Sequence, residues 1–536
     1  MNVLIQTPTK WDLCRLYSNE QDLMFSIEQL KVEYKATKDP ATLSQLIQAI
    51  EKAEYYLYCR ATEDDTPPEN NLLSVTINQL KKEVQLLIES SKKQGINDDN
   101  SSIKLIENEL KAWEDMYIQL RNKIEVIHDK ETLSFGQANY LSMNSDDHNE
   151  RLKVFDSLTN ALSKEKEIFA TVLNQIGRLR NTKSNELERR EVLTQSLQMN
   201  GISETVLTQM WNTTEQNLTK LVSALNVYKK DKDSITWHEL MTLKESNETI
   251  FPFSVGVQNI YDALKNVDEE LEKFARNAIV NGWVDAEPRD NKTPGGFCAP
   301  FFSEKESRIS MRYDGSIDSV RVLAHELGHA WHFYVMSFEQ STSFLDDYLP
   351  MSTAESASIF FEVVLVNHLI KTAENTEMKK ALLSWKIRNS FNYVMAIRAS
   401  FQFEKSFYEE CKKGPVSAHE IEKLSIAAQE KAYGNALSEY QPFVWMKYIQ
   451  FYIADVPFYN YPYTFGYLVS FSLLEIMKEN KDEFHLRYKE FLRETGKAPV
   501  EELMKKHFDI DLTNYEFWSK AFIQIHRDID EYLQLI

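Results

Sequence analysis

Two histidines one helical turn apart limit this chain more than any other feature in it. They lie in Ala324-His325-Glu326-Leu327-Gly328-His329-Ala330-Trp331-His332, whose surroundings read as helix. Side chains at i and i+4 sit one above the other on the same helix face. His325 and His329 can then aim both imidazoles at one point, as two ligands of a tetrahedral metal must. Glu326 lies beside them, able to reach an activated water without being a ligand itself. A fold that uses this pattern must bring a third donor to the same point from another element.

The flanks supply a strand and a helix start. Asp314-Gly315 is a turn signal, and Ser316 or Asp318 is the expected N-cap. Before the turn, Arg308-Ile309-Ser310-Met311-Arg312-Tyr313 alternates polar and apolar residues, a strand pattern. A helix that holds a metal, next to a strand whose edge can hold an extended peptide, suits peptide hydrolysis.

The totals set bounds on partners. With 536 residues, 43% hydrophobic and 26% charged, the chain can bury a large core. A net charge of -20 without a basic tract argues against nucleic acid. Cys14, Cys59, Cys298 and Cys411 are far apart and form no C-x-x-C pair, so a reducing compartment, the cytoplasm, is expected. Met1-Asn2-Val3-Leu4-Ile5-Gln6 has no basic region before an apolar run, so no signal peptide is expected. No membrane span is expected either: Ile359 to Ile370 is interrupted by Glu362, Asn367 and His368. The oligomeric state is not legible.

Along the chain the texture is helical. Gly95, Gly136 and Gly177 are the only glycines before residue 200. Leu23, Ile27, Leu30 and Tyr34 form one apolar stripe, and Leu73, Ile77, Leu80, Val84 and Leu87 another. Polar breaks fall at about 62–70, with Pro67-Pro68, and about 95–101. This predicts an N-terminal helical lobe over 1–200 and a second lobe over 201–536 that carries the His-Glu helix. Helices continue to about 288. Loops then follow at Pro288 and Pro294-Gly295-Gly296, and later at Lys413-Gly414-Pro415 and from Asp455 to Pro462. Pro350 opens a helix with Glu355, Ser358, Ile359, Glu362 and Val366 on or near one face.

A catalytic zinc site usually takes three protein ligands and leaves one position for water. The extended pattern His-Glu-x-x-His-x-x-Gly-x-x-His would put its third histidine at position 335, which is valine. Another large group of zinc peptidases would put a glutamate where Tyr348 and Leu349 stand. The first glutamate in the next helix is Glu355.

Here His325-Glu326-Leu327-Gly328-His329-Ala330-x-His332 followed by Glu355-Ser356-Ala357-Ser358 resembles the oligoendopeptidase F and thimet oligopeptidase family of zinc peptidases. Gly295-Gly296-Phe297-Cys298, Tyr313-Asp314-Gly315 and Pro457-Phe458-Tyr459-Asn460-Tyr461-Pro462-Tyr463 carry the same resemblance, which covers about 290–470. It implies a mainly α, two-lobed helical zincin with a deep central channel and one small β-sheet beside the active-site helix. It implies an endopeptidase that cuts short, unstructured peptides with one Zn2+ ion. By the same resemblance His325, His329 and Glu355 bind the metal, and Glu326 is general base and then proton donor to the leaving amine. His332 lies near the ligand face and is a candidate for contact with substrate or with a ligand; Glu362 is a candidate to orient a ligand histidine.

The aromatic run from Phe451 to Tyr467 reads mostly as core. The resemblance places tyrosines that stabilise the oxyanion within it; Tyr459 and Tyr463 are the first choices and Tyr467 the next. The family commonly has a histidine several residues before its Pro-Phe-Tyr segment. This chain has Tyr448-Ile449-Gln450-Phe451 there. Gln450 can donate a hydrogen bond but cannot carry a charge or shuttle a proton. Two other readings stay open: a helical zinc carboxypeptidase, and a peptide-binding protein with impaired catalysis.

Overall fold

The computed structural model describes residues 7–37, 39–63, 72–92, 101–189, 191–229, 234–243, 250–289, 292, 295–338 and 349–536. Among these the chain is helical apart from two small sheets. The breaks read at 62–70 and 95–101 fall largely on residues outside this set, as do the side chain of Leu87 and the loop at Pro294. The chain forms two compact units. One comprises Met1–Asn97, Asn247–Leu382 and Gly466–Asp511; the other comprises Asp98–Ser246, Leu383–Phe465 and Leu512–Ile536. The contacts therefore do not follow the expected cut at residue 200. The reason is packing between segments remote in sequence, which composition along the chain does not display.

In the first unit, helices Glu20–Thr37 and Pro40–Glu63 bury Leu23, Ile27, Leu46 and Ile50 in one core with Ala299 and Phe301. Ile77, Leu80 and Val84 of helix Leu72–Lys92 join it. Both apolar stripes thus face a strand more than two hundred residues further along. That strand, Gly296–Phe301, pairs antiparallel with Glu306–Met311, from Gly296 opposite Met311 to Phe301 opposite Glu306. Val284–Asp285 pairs parallel on the other side of Glu306–Met311, so among the described residues Gly296–Phe301 is an edge strand. The ring of Tyr58 lies 4.7 Å from that of Phe297, and Trp11 lies 6.3 Å from it. The buried Lys292 ammonium ties the preceding turn, donating to the carbonyls of Asp285 at 2.8 Å and Met311 at 2.9 Å.

The His-Glu helix runs Ile317–Met336. Gly315 adopts φ +87, the left-handed region that glycine accepts without a Cβ clash, and the chain reverses there. Ser316 is the N-cap, its hydroxyl accepting the Ser319 N–H. The next helix, Met351–Lys371, starts after Pro350. By length and mean hydropathy, 1.2, it could cross a membrane, contrary to the sequence reading. Yet 89% of its most apolar window is buried inside the protein, which makes it a core helix here.

In the second unit, helix His148–Glu186 spans 39 residues and packs with Ser101–Asn122, Ile397–Cys411 and Ala418–Ala432. A hairpin of Glu125–His128 and Glu131–Ser134 is a second sheet beyond the one expected. Its turn is Asp129-Lys130, both with positive φ (44 and 71), where Asn-Gly or Asp-Gly is the usual signal. A π-helical turn, Phe391–Ala396, precedes Ile397–Cys411.

Candidate active site

The motif helix presents His325 and His329 on one face, with their Nε2 atoms 3.2 Å apart. Glu355, near the start of helix Met351–Lys371, brings its Oε2 to 3.4 Å from His325 Nε2 and 3.8 Å from His329 Nε2. Bonds of about 2.0–2.1 Å at tetrahedral angles place donor atoms roughly 3.4 Å apart. The three donors therefore fit around one zinc-sized cation, and their chemistry, two imidazoles and a carboxylate, is that of a zinc site.

Two of the three donors, His325 and Glu355, are held from behind. Glu362, two turns past Glu355, accepts from His325 Nδ1 at 2.5 Å. With that proton placed, His325 Nε2 keeps its lone pair towards the other donors. Arg321, one turn before His325, pairs with the second Glu362 oxygen at 2.9 Å. Ser358 donates to Glu355 Oε2 at 3.0 Å. Burial favours the neutral form of Glu362, but Arg321 and His325 outweigh it and hold the carboxyl below its usual range. Burial opposes charge on His325, yet the Glu362 hydrogen bond and charge raise its pKa to about 9 in the metal-free site, so a cation binding there would displace the Nε2 proton. Burial and the neighbouring His325 push His329 well down.

Glu326 is set apart from these pairs. Its side chain makes no hydrogen bond to a described residue, and burial, aided by Glu355 and Glu362, pushes its carboxyl up to about 7. It lies against the first residue of the edge strand. A Cβ on Gly296 would stand 2.9 Å from Glu326 Oε1 and 3.0 Å from its Cγ. Only glycine leaves the carboxylate that space.

Two more glycines set the distance between the helices. A Cβ on Gly328, inside the motif, would meet Ser358 Cα at 2.7 Å and the Ala357 carbonyl oxygen at 2.8 Å. A Cβ on Gly466 would meet the Glu355 carbonyl carbon at 2.8 Å. Ser470, one turn past Gly466, donates to the Ser356 carbonyl at 3.0 Å. The backbone that carries Glu355 is thus clamped from two sides.

The remaining candidates have other described partners. His332 is fully buried, and its Nε2 bonds the Leu492 carbonyl at 3.2 Å and the Thr495 hydroxyl at 2.9 Å. Its hydrogen bonds tie helix Lys481–Arg493 to the motif helix rather than reaching a metal donor. Tyr467 is buried, with its ring 4.6 Å from that of Phe471. Tyr459, Tyr463 and Gln450 belong to the second unit and line one cavity there; the two tyrosine hydroxyls are 3.1 Å apart. Phe458 before them has φ +55. Its N–H donates to Glu404 at 3.1 Å, and Tyr408 donates to the same oxygen at 3.0 Å. Buried Arg180 completes the knot through Tyr408, the Phe451 carbonyl and the Ile453 carbonyl. Burial raises Glu404 to about 7 in spite of Arg180. Arg321, Gly466 and the Arg180–Glu404 pair were not singled out from sequence; Ser358, Gly296 and Gly328 were read only as members of a helix face or a motif, without these roles. Only Arg321 left a signal, its spacing of one turn from His325.

The sequence profile of peptidase family M3 matches residues 253–523. An oligoendopeptidase F homolog of Borreliella burgdorferi is 24% identical over 96% of this chain and 95% of that protein. A crystal structure of a Chlamydophila abortus protein superposes with TM-score 0.81 at 19% identity, covering 98% of each chain. Oligoendopeptidase F of Enterococcus faecium superposes with TM-score 0.64 at 17% identity over 98% of this chain and 97% of that one.

Proposed function

Because this chain belongs to peptidase family M3, we propose that it is a zinc-dependent endopeptidase that hydrolyses short, unstructured peptides. The observation that carries this reading is the convergence of His325, His329 and Glu355 beside an unpaired, buried Glu326. We assign one Zn2+ to the three donors. When bound, such an ion supplies Lewis acidity that polarises the scissile carbonyl and acidifies water.

Glu326 takes the proton of the attacking water and passes it to the leaving amine nitrogen. A carboxyl raised to about 7 suits both halves of that transfer near neutral pH. Glu362 and Arg321 hold His325 in the tautomer that leaves Nε2 free to bind. The open edge of Gly296–Phe301 offers backbone groups to an extended peptide beside Glu326. The side chains of His325, His329 and Glu355 are only 16%, 15% and 9% exposed. Donors so recessed favour an extended segment over a folded surface. We assign the oxyanion donor to Tyr459 or Tyr463, whose change to phenylalanine should lower kcat by roughly 10²–10³. All four cysteines are unpaired, which supports a reducing, cytoplasmic setting.

The deciding experiment uses peptides blocked at both ends, read by mass spectrometry, with metal analysis alongside. The wild type should cut internally, lose activity to a chelator and regain it with zinc. Glu326→Gln should keep one zinc per chain and lose roughly 10²–10⁴-fold in kcat. Removal of single residues from free C-termini, with blocked peptides untouched, would establish the carboxypeptidase reading instead. Equal inertness of wild type and variant with zinc bound would leave a binding protein.

A further inference from the structure

The second unit contains a donor set of its own. His128 ends strand Glu125–His128, Asp129 opens the hairpin turn, and Glu150 lies in the first turn of helix His148–Glu186. His128 Nε2 stands 3.0 Å from Glu150 Oε1 and 3.8 Å from Asp129 Oδ2. One ligand atom from each of the three lies within 4.8 Å of the others. Bonds of about 2.0–2.2 Å place tetrahedral donors roughly 3.4 Å apart. The imidazole and Glu150 already stand near that spacing. Asp129 needs only a small rotation of a side chain that is 74% exposed.

The histidine is held for such a role. Its side chain is buried, and its Nδ1 faces Ser157 Oγ at 3.3 Å. Ser157 lies two turns past Glu150 on the same helix, so one helix face supplies both a donor and the group that orients the ring. A proton on Nδ1, donated to Ser157, leaves Nε2 and two carboxylates as bare acceptors facing one another. Either a shared proton or a shared cation reconciles them. A proton leaves one negative charge uncompensated, whereas a divalent ion neutralises all three groups. Among the described residues neither carboxylate has a Lys or Arg as an ion-pair partner.

We propose that His128, Asp129 and Glu150 bind one divalent transition-metal ion, which clips the hairpin turn to the start of helix His148–Glu186. One imidazole with two carboxylates suits Zn2+, Co2+ or Mn2+. Ca2+ takes six to eight oxygen ligands and Mg2+ demands an octahedron of them, so neither matches this set. Water completes the coordination on the exposed side. The ion at this site is the weaker of the two and leaves on gel filtration, while the His325–His329–Glu355 ion stays. The proposal does not depend on the peptidase reading.

The test is equilibrium dialysis of full-length protein against Zn2+, with bound metal counted by mass spectrometry and melting followed by circular dichroism. Wild type should take up two equivalents. The His325→Ala/His329→Ala protein should take up one, and that ion should raise its melting temperature, because it binds the folded state. Adding Asp129→Asn to this protein should weaken the uptake at least tenfold, and adding His128→Gln should abolish both uptake and thermal shift. If His128→Gln fails to fold, Glu150→Gln takes its place. A large excess of Mg2+ should not displace the ion. A His325→Ala/His329→Ala protein that binds no zinc overturns the proposal. So does uptake that survives Asp129→Asn and His128→Gln alike, which is adventitious surface binding, or an ion that Mg2+ displaces. Failure at the motif site reads differently: wild type and His325→Ala/His329→Ala would then bind the same single equivalent, sensitive to His128→Gln, and only the peptidase reading would fall.

Discussion

Glu362 has little freedom: one oxygen takes the His325 proton and the other faces Arg321. Replacing it with glutamine keeps the shape but removes the charge that fixes the tautomer. Glu362→Gln should weaken zinc binding by roughly 10–100-fold, read by competition with a chromogenic chelator. Arg321→Ala should act in the same direction. His332 makes a different prediction. Burial holds its imidazole down at about 4, against an ordinary value of 6.5. The folded state therefore resists a proton that the unfolded chain accepts. Above pH 6.5 there is no difference; as pH falls from 6.5 towards 4 stability is lost, by roughly 3 kcal/mol in total. His332→Gln should flatten that limb in urea titrations at pH 7, 5.5 and 4.5. At this scale the sequence was legible where spacing alone fixes direction. Positions i and i+4 must share a face, so His325 and His329 meet, and Glu355 and Glu362 lie two turns apart on one helix. His332 is i+3 from His329, far enough round the helix to turn to Leu492 and Thr495. Nothing in the one-letter code distinguishes those two outcomes.

Among the elements, the spacing between helices Ile317–Met336 and Met351–Lys371 decides whether the donors converge. Gly328 and Gly466 set it through backbone contact rather than side chains. Helix propensity alone predicts that Gly328→Ala stabilises by about 1 kcal/mol. The Cβ would instead strike Ser358 Cα and the Ala357 carbonyl, which cannot swing aside. Gly328→Ala should therefore cost roughly 1–3 kcal/mol in chemical denaturation and speed the loss of zinc to a chelator. Helices and the strand before the motif were readable because period and turn residues mark them; the strand begins at Glu306, two residues before the alternating run. The hairpin at Glu125–Ser134 was not, because Asp129-Lys130 adopts its turn without a glycine. Nor was the π-helical turn, since one extra residue in a helix leaves little trace in apolar spacing.

For the whole molecule, the decisive fact is connectivity. Each unit is assembled from three separate stretches of chain. Leu23, Ile27 and Ile50 need Ala299 and Phe301 to complete their core, so neither side of residue 200 is self-sufficient. Fragments 1–200 and 201–536, expressed alone, should lack cooperative thermal unfolding by circular dichroism, whereas mixing or co-expression should restore it at least in part. Composition showed the class, mainly helical with a large core, but a boundary drawn from composition assumes that neighbours in sequence are neighbours in space. Interleaving also bears on biosynthesis. At about 5–20 residues per second, a ribosome must translate through Asp511 before the first unit has all its pieces, and through Ile536 for the second. The apolar stripes of the earliest helices meanwhile emerge without their partners. This protein should consequently depend on chaperone protection during synthesis more than a chain of equal length built from consecutive domains.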